Sequence, residues 1–240
     1  MFRLYWLNLR QLLRQRHLWY INLFVIVVSE IAPAFAELFT FGKVEVAIIE
    51  CASACVYTGV LLFVVTSCFH LLGKELNQRV ALTMFSKPIS MRMFILIKFL
   101  ALLSAVTVIF LFQTLFVCKQ FYVFGLSQQG LLMAIYWLFC VYLQGVIILA
   151  ISIGFTILAG PILGLVLTFI TMILPYFWSF TSLVWVCWII PALPWFDLSN
   201  ALYKGTQVPF HYIISLLAYS TLYTLVWLLL STKWIKAKEF

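Results

Sequence analysis

The feature that most constrains this chain is its long apolar blocks, nearly free of charge and separated by short segments that hold almost all the ionisable groups. A block of about 20 such residues, wound as a helix rising 1.5 Å per residue, crosses a hydrocarbon layer about 30 Å thick. Hydrophobic residues make up 65% of the 240 and charged residues 9%. A soluble domain runs nearer half and a quarter. With a mean hydropathy of +1.13, the chain carries more apolar surface than a water-soluble fold can hide. Lipid offers backbone groups no partners, so the blocks must be helices, and the alternation of a membrane barrel is missing.

These blocks imply an all-α integral membrane protein of about six transmembrane helices in a single domain, residues 1–240. The expected spans cover about 18–41, 46–72, 94–117, 131–158, 161–176 and 210–231. The run after Pro161 continues to Ile190, too long for one simple span, and Pro175 interrupts it. Residues 178–190 therefore read as a short broken or re-entrant segment closed by Pro191 and Pro194, within an extracytoplasmic stretch of 178–207.

Orientation follows from the cations. Twelve of the fifteen lysines and arginines lie at the amino end, in the loop after the second span or at the carboxyl end, with Lys98 grouped among the loop charges. Lys43, Lys119 and Lys204 fall on the other face. The split puts both termini in the cytoplasm, in agreement with an even number of spans. The formal charge of +8 is thus a topology signal, and no basic soluble face suggests nucleic acid.

The first apolar run is longer than a signal-peptide core and lacks a convincing small-residue cleavage site. Before it, Phe2, Trp6, Leu9 and Leu13 recur at helical spacing while Arg3, Arg10 and Arg14 take other positions. Residues 1–17 read as an amphipathic helix in the cytoplasmic interface. The loop at 73–92 is too short for a domain but long enough for one helix parallel to the membrane.

Other candidate chemistry is sparse. No G-x-x-x-x-G-K-[ST] phosphate loop is present, since Gly73-Lys74 precedes Glu75 and Gly205 follows Lys204. Glu30 and Glu50 lie within the first two spans and, with Glu37 and Glu45, form an acidic group that could attract a cation or simply reach water or pair with Lys43. Cys51 and Cys55 share a helix face, but no histidine accompanies them and Cys68 to His70 is the wrong spacing for one face. The cysteines read as packing residues, with no metal site and no resident cofactor. His17, His70 and His211 lie near span boundaries and form no catalytic set, so the chain is not expected to be an enzyme. Gly145, Ser152, Gly154, Ala159, Gly160 and Gly164 point to close packing of the fourth and fifth helices, with a tight turn at Gly160-Pro161. Trp178, Trp185, Trp188 and Trp195 suit an outer interfacial belt.

Two segments carry a family resemblance. Glu75, Thr83, the run Lys87-Pro88-Ile89-Ser90, Arg92 and the run Lys98-Phe99-Leu100-Ala101 resemble the ABC type-2 permease family. Near the end, Pro191, Pro194, Phe196, Asp197, Leu198, Gly205, Val208, Tyr219, Tyr223 and Glu239-Phe240 resemble the permease branch linked to multicopper-enzyme maturation. The chain departs from the family at Asn77-Gln78-Arg79 and lacks a large insertion between its first two spans.

The resemblance implies that the 73–92 loop is a coupling helix, with Lys74, Glu75, Arg79, Thr83, Lys87, Pro88 and Arg92 contacting an ATPase. It implies two ATPase copies carrying ATP and Mg, and a second, identical or related permease subunit in a bacterial cytoplasmic (inner) membrane. Export of a lipidic or amphipathic substrate would follow, with Trp178, Trp185 and Trp188 gating the exit beside Glu30 and Glu50 as pathway candidates. A secondary transporter or a non-transporting assembly subunit remains the alternative, although a helix break is evident only in the second half.

Overall fold

The computed structural model describes residues 2–39, 44–73, 90–123, 128–178, 190–204 and 206–237. Among these every regular element is helical. The helices are α1 (Phe2–Leu13), α2 (Arg16–Phe39), α3 (Val44–Cys68, continued by a π-turn at Phe69–Gly73), α4 (Met91–Val123) and α5 (Gln128–Ala159). They are followed by α6 (Pro161–Trp178), a 3-10 turn (Leu193–Phe196), α7 (Ser199–Lys204) and α8 (Phe210–Ala237). Four stretches are long and apolar enough to cross a membrane: Ala54–Gly73, Met91–Lys119, Leu132–Ala159 and Phe210–Ile235. Leu18–Ile31 and Pro161–Phe177 are apolar but shorter.

The six expected apolar blocks coincide with helices α2 to α6 and α8, with ends displaced by a few residues, and among the described residues α3, α4, α5 and α8 hold the stretches of membrane-spanning length. The largest difference is α4, whose 33 residues extend about 50 Å and overhang the 94–117 stretch at both ends. Pro175 does not end α6; it is buried and the helix runs on to Trp178. Proline lacks the backbone N–H, so its place in the last turn costs one helical bond rather than the helix.

Burial ranks the helices. Within the apolar windows, 78% of α5 is buried against 28% of α8, which makes α5 the central helix and α8 a peripheral one. Around α5 pack α3, α4, α6 and α8, while α2 covers α3 and α4 from outside. Glycine sets the close approaches. A Cβ on Gly145 would stand 2.7 Å from Val60 Cγ1 of α3, and one on Gly154 would stand 2.8 Å from Trp227 Cε3 of α8. Without a hydrophobic drive between helices in lipid, such small-residue contacts carry association through van der Waals packing. The tight turn expected at Gly160-Pro161 joins α5 to α6, and Gly160 has φ +87°.

The chain threads the bundle up and down, so its ends sort. Gly73, closing α3, packs on Pro161, which opens α6. Ser90 and Arg92, at the start of α4, face Leu228, Leu229 and Thr232 near the end of α8. Exposed Arg92 and Lys233 lie at that end. At the opposite end Lys119 Nζ meets Glu30 Oε1 at 3.0 Å, linking α4 to α2.

The amino-terminal helix does more than present an apolar stripe. Phe2 and Trp6 are exposed, but Asn8, Leu9 and Leu12 face inward against α4. Tyr5 OH and Ser104 Oγ are 2.7 Å apart, and Lys98 Nζ donates to Asn8 Oδ1 at 2.8 Å. Lys98, fully buried, also stands 5.6 Å from the centroid of the Phe94 ring. Grouping Lys98 with the loop charges is therefore corrected: it lies about two turns inside α4 and clasps α1. A buried ammonium needs such acceptors, because desolvation penalises its charge heavily.

Two substitutions test these joints by chemical unfolding in detergent. Asn8→Ala removes a charge-assisted bond and lowers stability by about 1.5–3 kcal/mol, whereas Asn8→Ala made together with Lys98→Met recovers most of that loss. Gly160→Ala meets open space yet forces a side chain into the left-handed region, for a loss of about 1–2 kcal/mol.

Candidate functional site

Residues 190–198, ahead of α7, place irregular backbone and one 3-10 turn against the centre of the bundle. Pro191, Ala192, Leu193 and Phe196 are buried, Leu193 and Phe196 completely. Peptide groups so placed must find partners, and the neighbouring helices supply them. Gln144 Nε2, midway along α5, donates to the Leu193 carbonyl at 2.7 Å. The Ala192 N–H donates to Tyr219 OH on α8 at 3.1 Å, and Tyr212 OH donates to the Trp195 carbonyl at 2.6 Å. Rings reinforce these bonds: Tyr219 lies 6.0 Å from Trp195 and 6.1 Å from Phe196, centroid to centroid. The two inward prolines explain the local geometry, since neither can continue a helix ladder and both fix φ.

Beside this segment is a cavity of about 120 Å³. Its walls are Tyr57 of α3, Trp137 and Gln144 of α5, Tyr176 of α6, and Asp197 and Ser199 at the entry to α7. Tyr176 OH donates to Tyr57 OH at 3.3 Å, which bridges α6 and α3 across the cavity. Asp197 is exposed and accepts the Ser199 N–H on Oδ1 at 3.0 Å. Trp137 and Gln144 are buried, so the site has an apolar and amide floor with a carboxylate at its rim.

The residues expected from sequence are distributed otherwise. Lys74, Glu75, Arg79, Thr83, Lys87 and Pro88 lie outside the described residues, as do Trp185 and Trp188. Arg92 is exposed in the first turn of α4, where it lines an apolar groove of about 320 Å³ with Leu225, Leu228 and Leu229 of α8. Trp178 ends α6 and Glu50 lies in the early part of α3, both with side chains outside the described set. Glu30 is at the end of the bundle, paired with Lys119 rather than directed at the cavity. Among the described residues no group of three or more histidine, cysteine or acidic side chains converges as a metal site.

Sequence reading overlooked Tyr57, Trp137, Gln144 and Tyr176. Gln144 carried a usable signal: a strongly polar amide inside a charge-free span is costly unless it serves a partner. Tyr57 and Tyr176 carried none, because tyrosine is ordinary at membrane depth and only the fold brings the pair together. Asp197 and Tyr219 entered through the family resemblance; Asp197 lines the cavity just after the 3-10 turn, and Tyr219 accepts from Ala192 just before it.

The described residues thus define an all-helical protein with four helices long and apolar enough to cross a membrane, packed around a helix-breaking segment. No protein-family model matches the chain, and no curated protein matches it.

Gln144→Leu leaves the Leu193 carbonyl buried without its donor and costs about 1–3 kcal/mol. Hydrogen exchange mass spectrometry then shows faster exchange across residues 190–196, whereas Tyr57→Phe leaves that exchange unchanged.

Proposed function

We propose that the chain is the transmembrane permease subunit of an ATP-binding cassette transporter in a bacterial cytoplasmic membrane. It crosses the bilayer six times with both ends inside, using α2 to α6 and α8, and residues 178–190 re-enter from the outer face within the extracytoplasmic stretch 178–207. ATP and Mg sit on two copies of a separate ATPase, and a second permease subunit completes the pathway. The direction is export and the cargo lipidic or amphipathic.

The observation that carries this reading is the sorting of the helix ends. Gly73 and Ser90, the two attachment points of the 74–89 loop, both lie at the end of the bundle that holds exposed Arg92 and Lys233 and the α5–α6 turn. A loop anchored on both sides at a basic end suits a cytoplasmic contact with a motor. The family resemblance of Glu75, Thr83 and the Lys87-Pro88 pair adds support from the same loop. Alpha5 as a central pillar, with α3 and α6 bridged across a cavity near its middle, suits a bundle that must house a pathway.

Affinity purification of the tagged chain from its native membrane tests the reading. An ATPase subunit co-purifies, and Glu75→Ala with Arg79→Ala lowers its recovery and its substrate-stimulated ATP hydrolysis by about tenfold, the scale of one lost charged contact. Intact assembly and hydrolysis in that double variant, or a preparation that never contains an ATPase, counts in favour of a secondary transporter or an assembly subunit.

A further inference from the structure

The cavity between α3, α5 and α6 has a wall chemistry that selects one kind of ligand. Three aromatic side chains, Tyr57, Trp137 and Tyr176, meet there with a single carboxylate, Asp197. Among the described residues no lysine or arginine pairs with Asp197, and its one hydrogen bond engages Oδ1 alone. Among the described residues Oδ2 accepts no hydrogen bond, which suits it to an incoming donor or cation. Glu30, by contrast, is paired with Lys119. A carboxylate with no cationic partner among the described residues, beside aromatic rings, attracts positive charge, both through the ring quadrupoles and through direct attraction. The volume, about 120 Å³, suits a substituted ammonium group and falls well below the roughly 300–1,000 Å³ of a drug-sized pocket.

We propose that this cavity binds an ammonium group, primary or quaternary, with Asp197 as its counter-ion and Tyr57, Tyr176 and Trp137 as its aromatic walls. Such a group is carried both by free amines and by the headgroups of aminated phospholipids, and the chemistry of recognition is the same for each. Ser199 holds the carboxylate in place through its backbone N–H, and the Tyr176–Tyr57 bond keeps the two rings spanning the site. Taking the ammonium compound as the transported cargo rests on the permease reading; its binding does not.

The test uses the full chain purified alone in phosphatidylglycerol nanodiscs, with empty discs subtracted, and isothermal titration calorimetry with choline, ethanolamine and the uncharged tert-butyl analogue of choline. Choline or ethanolamine binds, and the uncharged analogue binds at least about tenfold more weakly. Asp197→Asn weakens the amine by a similar factor, and Ala54→Leu, which fills the cavity from α3, abolishes binding with the melting temperature retained. Exchanging the disc lipid for phosphatidylethanolamine separates the sources. Weaker choline binding there makes a lipid headgroup the occupant, unchanged binding makes it a free amine, and either supports the site. Equal binding of the uncharged analogue, full binding by Asp197→Asn, or no heat from either amine in phosphatidylglycerol discs overturns it. These outcomes are read on wild type as well as on variants and without an ATPase, so a chain that binds amines but recruits no motor keeps the site and loses the permease reading.

Discussion

Everything in this fold answers to the requirement that backbone polar groups buried in an apolar setting be paired from within the protein. Long helices meet it unaided, which is why apolar sequence of this length collapses into them. Among the described residues, the stretch from Pro191 to Phe196 does not meet it unaided: two prolines preclude an α-helix there, and Pro191, Ala192, Leu193 and Phe196 are nevertheless buried. Gln144, Tyr212 and Tyr219 are spent on satisfying it. Each comes from a helix otherwise built for apolar contact, and their positions fix where that segment can sit.

The central place of α5 follows from the same requirement. A helix that offers an amide at its midpoint must be covered on all sides, or the amide would be satisfied by something other than the Leu193 carbonyl. Gly145 lets Val60 of α3 close over α5 one residue beyond Gln144, and Gly154 admits Trp227 of α8 further along. Small residues and one polar residue on α5 therefore act together: the glycines bring neighbours near, and the glutamine uses the space they enclose. The cavity exists at the margin of that enclosure, where Tyr57, Tyr176 and Asp197 close around the segment without filling the space.

How much of this was legible in the sequence depends on whether a feature is periodic or pairwise. Helix positions were legible, because each helix is a block of apolar residues bounded by charge or proline, and α2 to α6 and α8 start within a few residues of expectation, four of them with membrane-spanning length among the described residues. The Gly160 turn was legible from Gly-Pro alone. Lys98 was not, since a lysine seven residues past the start of α4 looks like a loop charge until Asn8 is seen to reach it from a helix 90 positions away in sequence. The π-turn at Phe69–Gly73 left no mark in composition, and it places Gly73 against Pro161. The Tyr57–Tyr176 bridge joins residues 119 apart and depends wholly on how α3 and α6 flank α5. Periodicity describes one helix at a time, whereas a site is made of pairs.

Those pairs also set how the parts can move relative to each other. The segment at 190–198 is bonded to α5 through Gln144 and to α8 through Tyr212 and Tyr219, while its next residues, Asp197 and Ser199, line the cavity. Alpha8 is the least buried of the membrane-length helices and α5 the most. If α8 shifts against α5, either the Gln144 bond breaks or the two tyrosine bonds do, and the carbonyl or N–H left behind is unpaired in an apolar setting. The lower-cost route is for the segment to travel with one helix as a unit and for the partner left behind to be satisfied by water entering beside Tyr57 and Tyr176. A helix-breaking segment bonded to α5 through Gln144 and to α8 through Tyr212 and Tyr219 thus ties the position of a peripheral helix to the shape of the cavity.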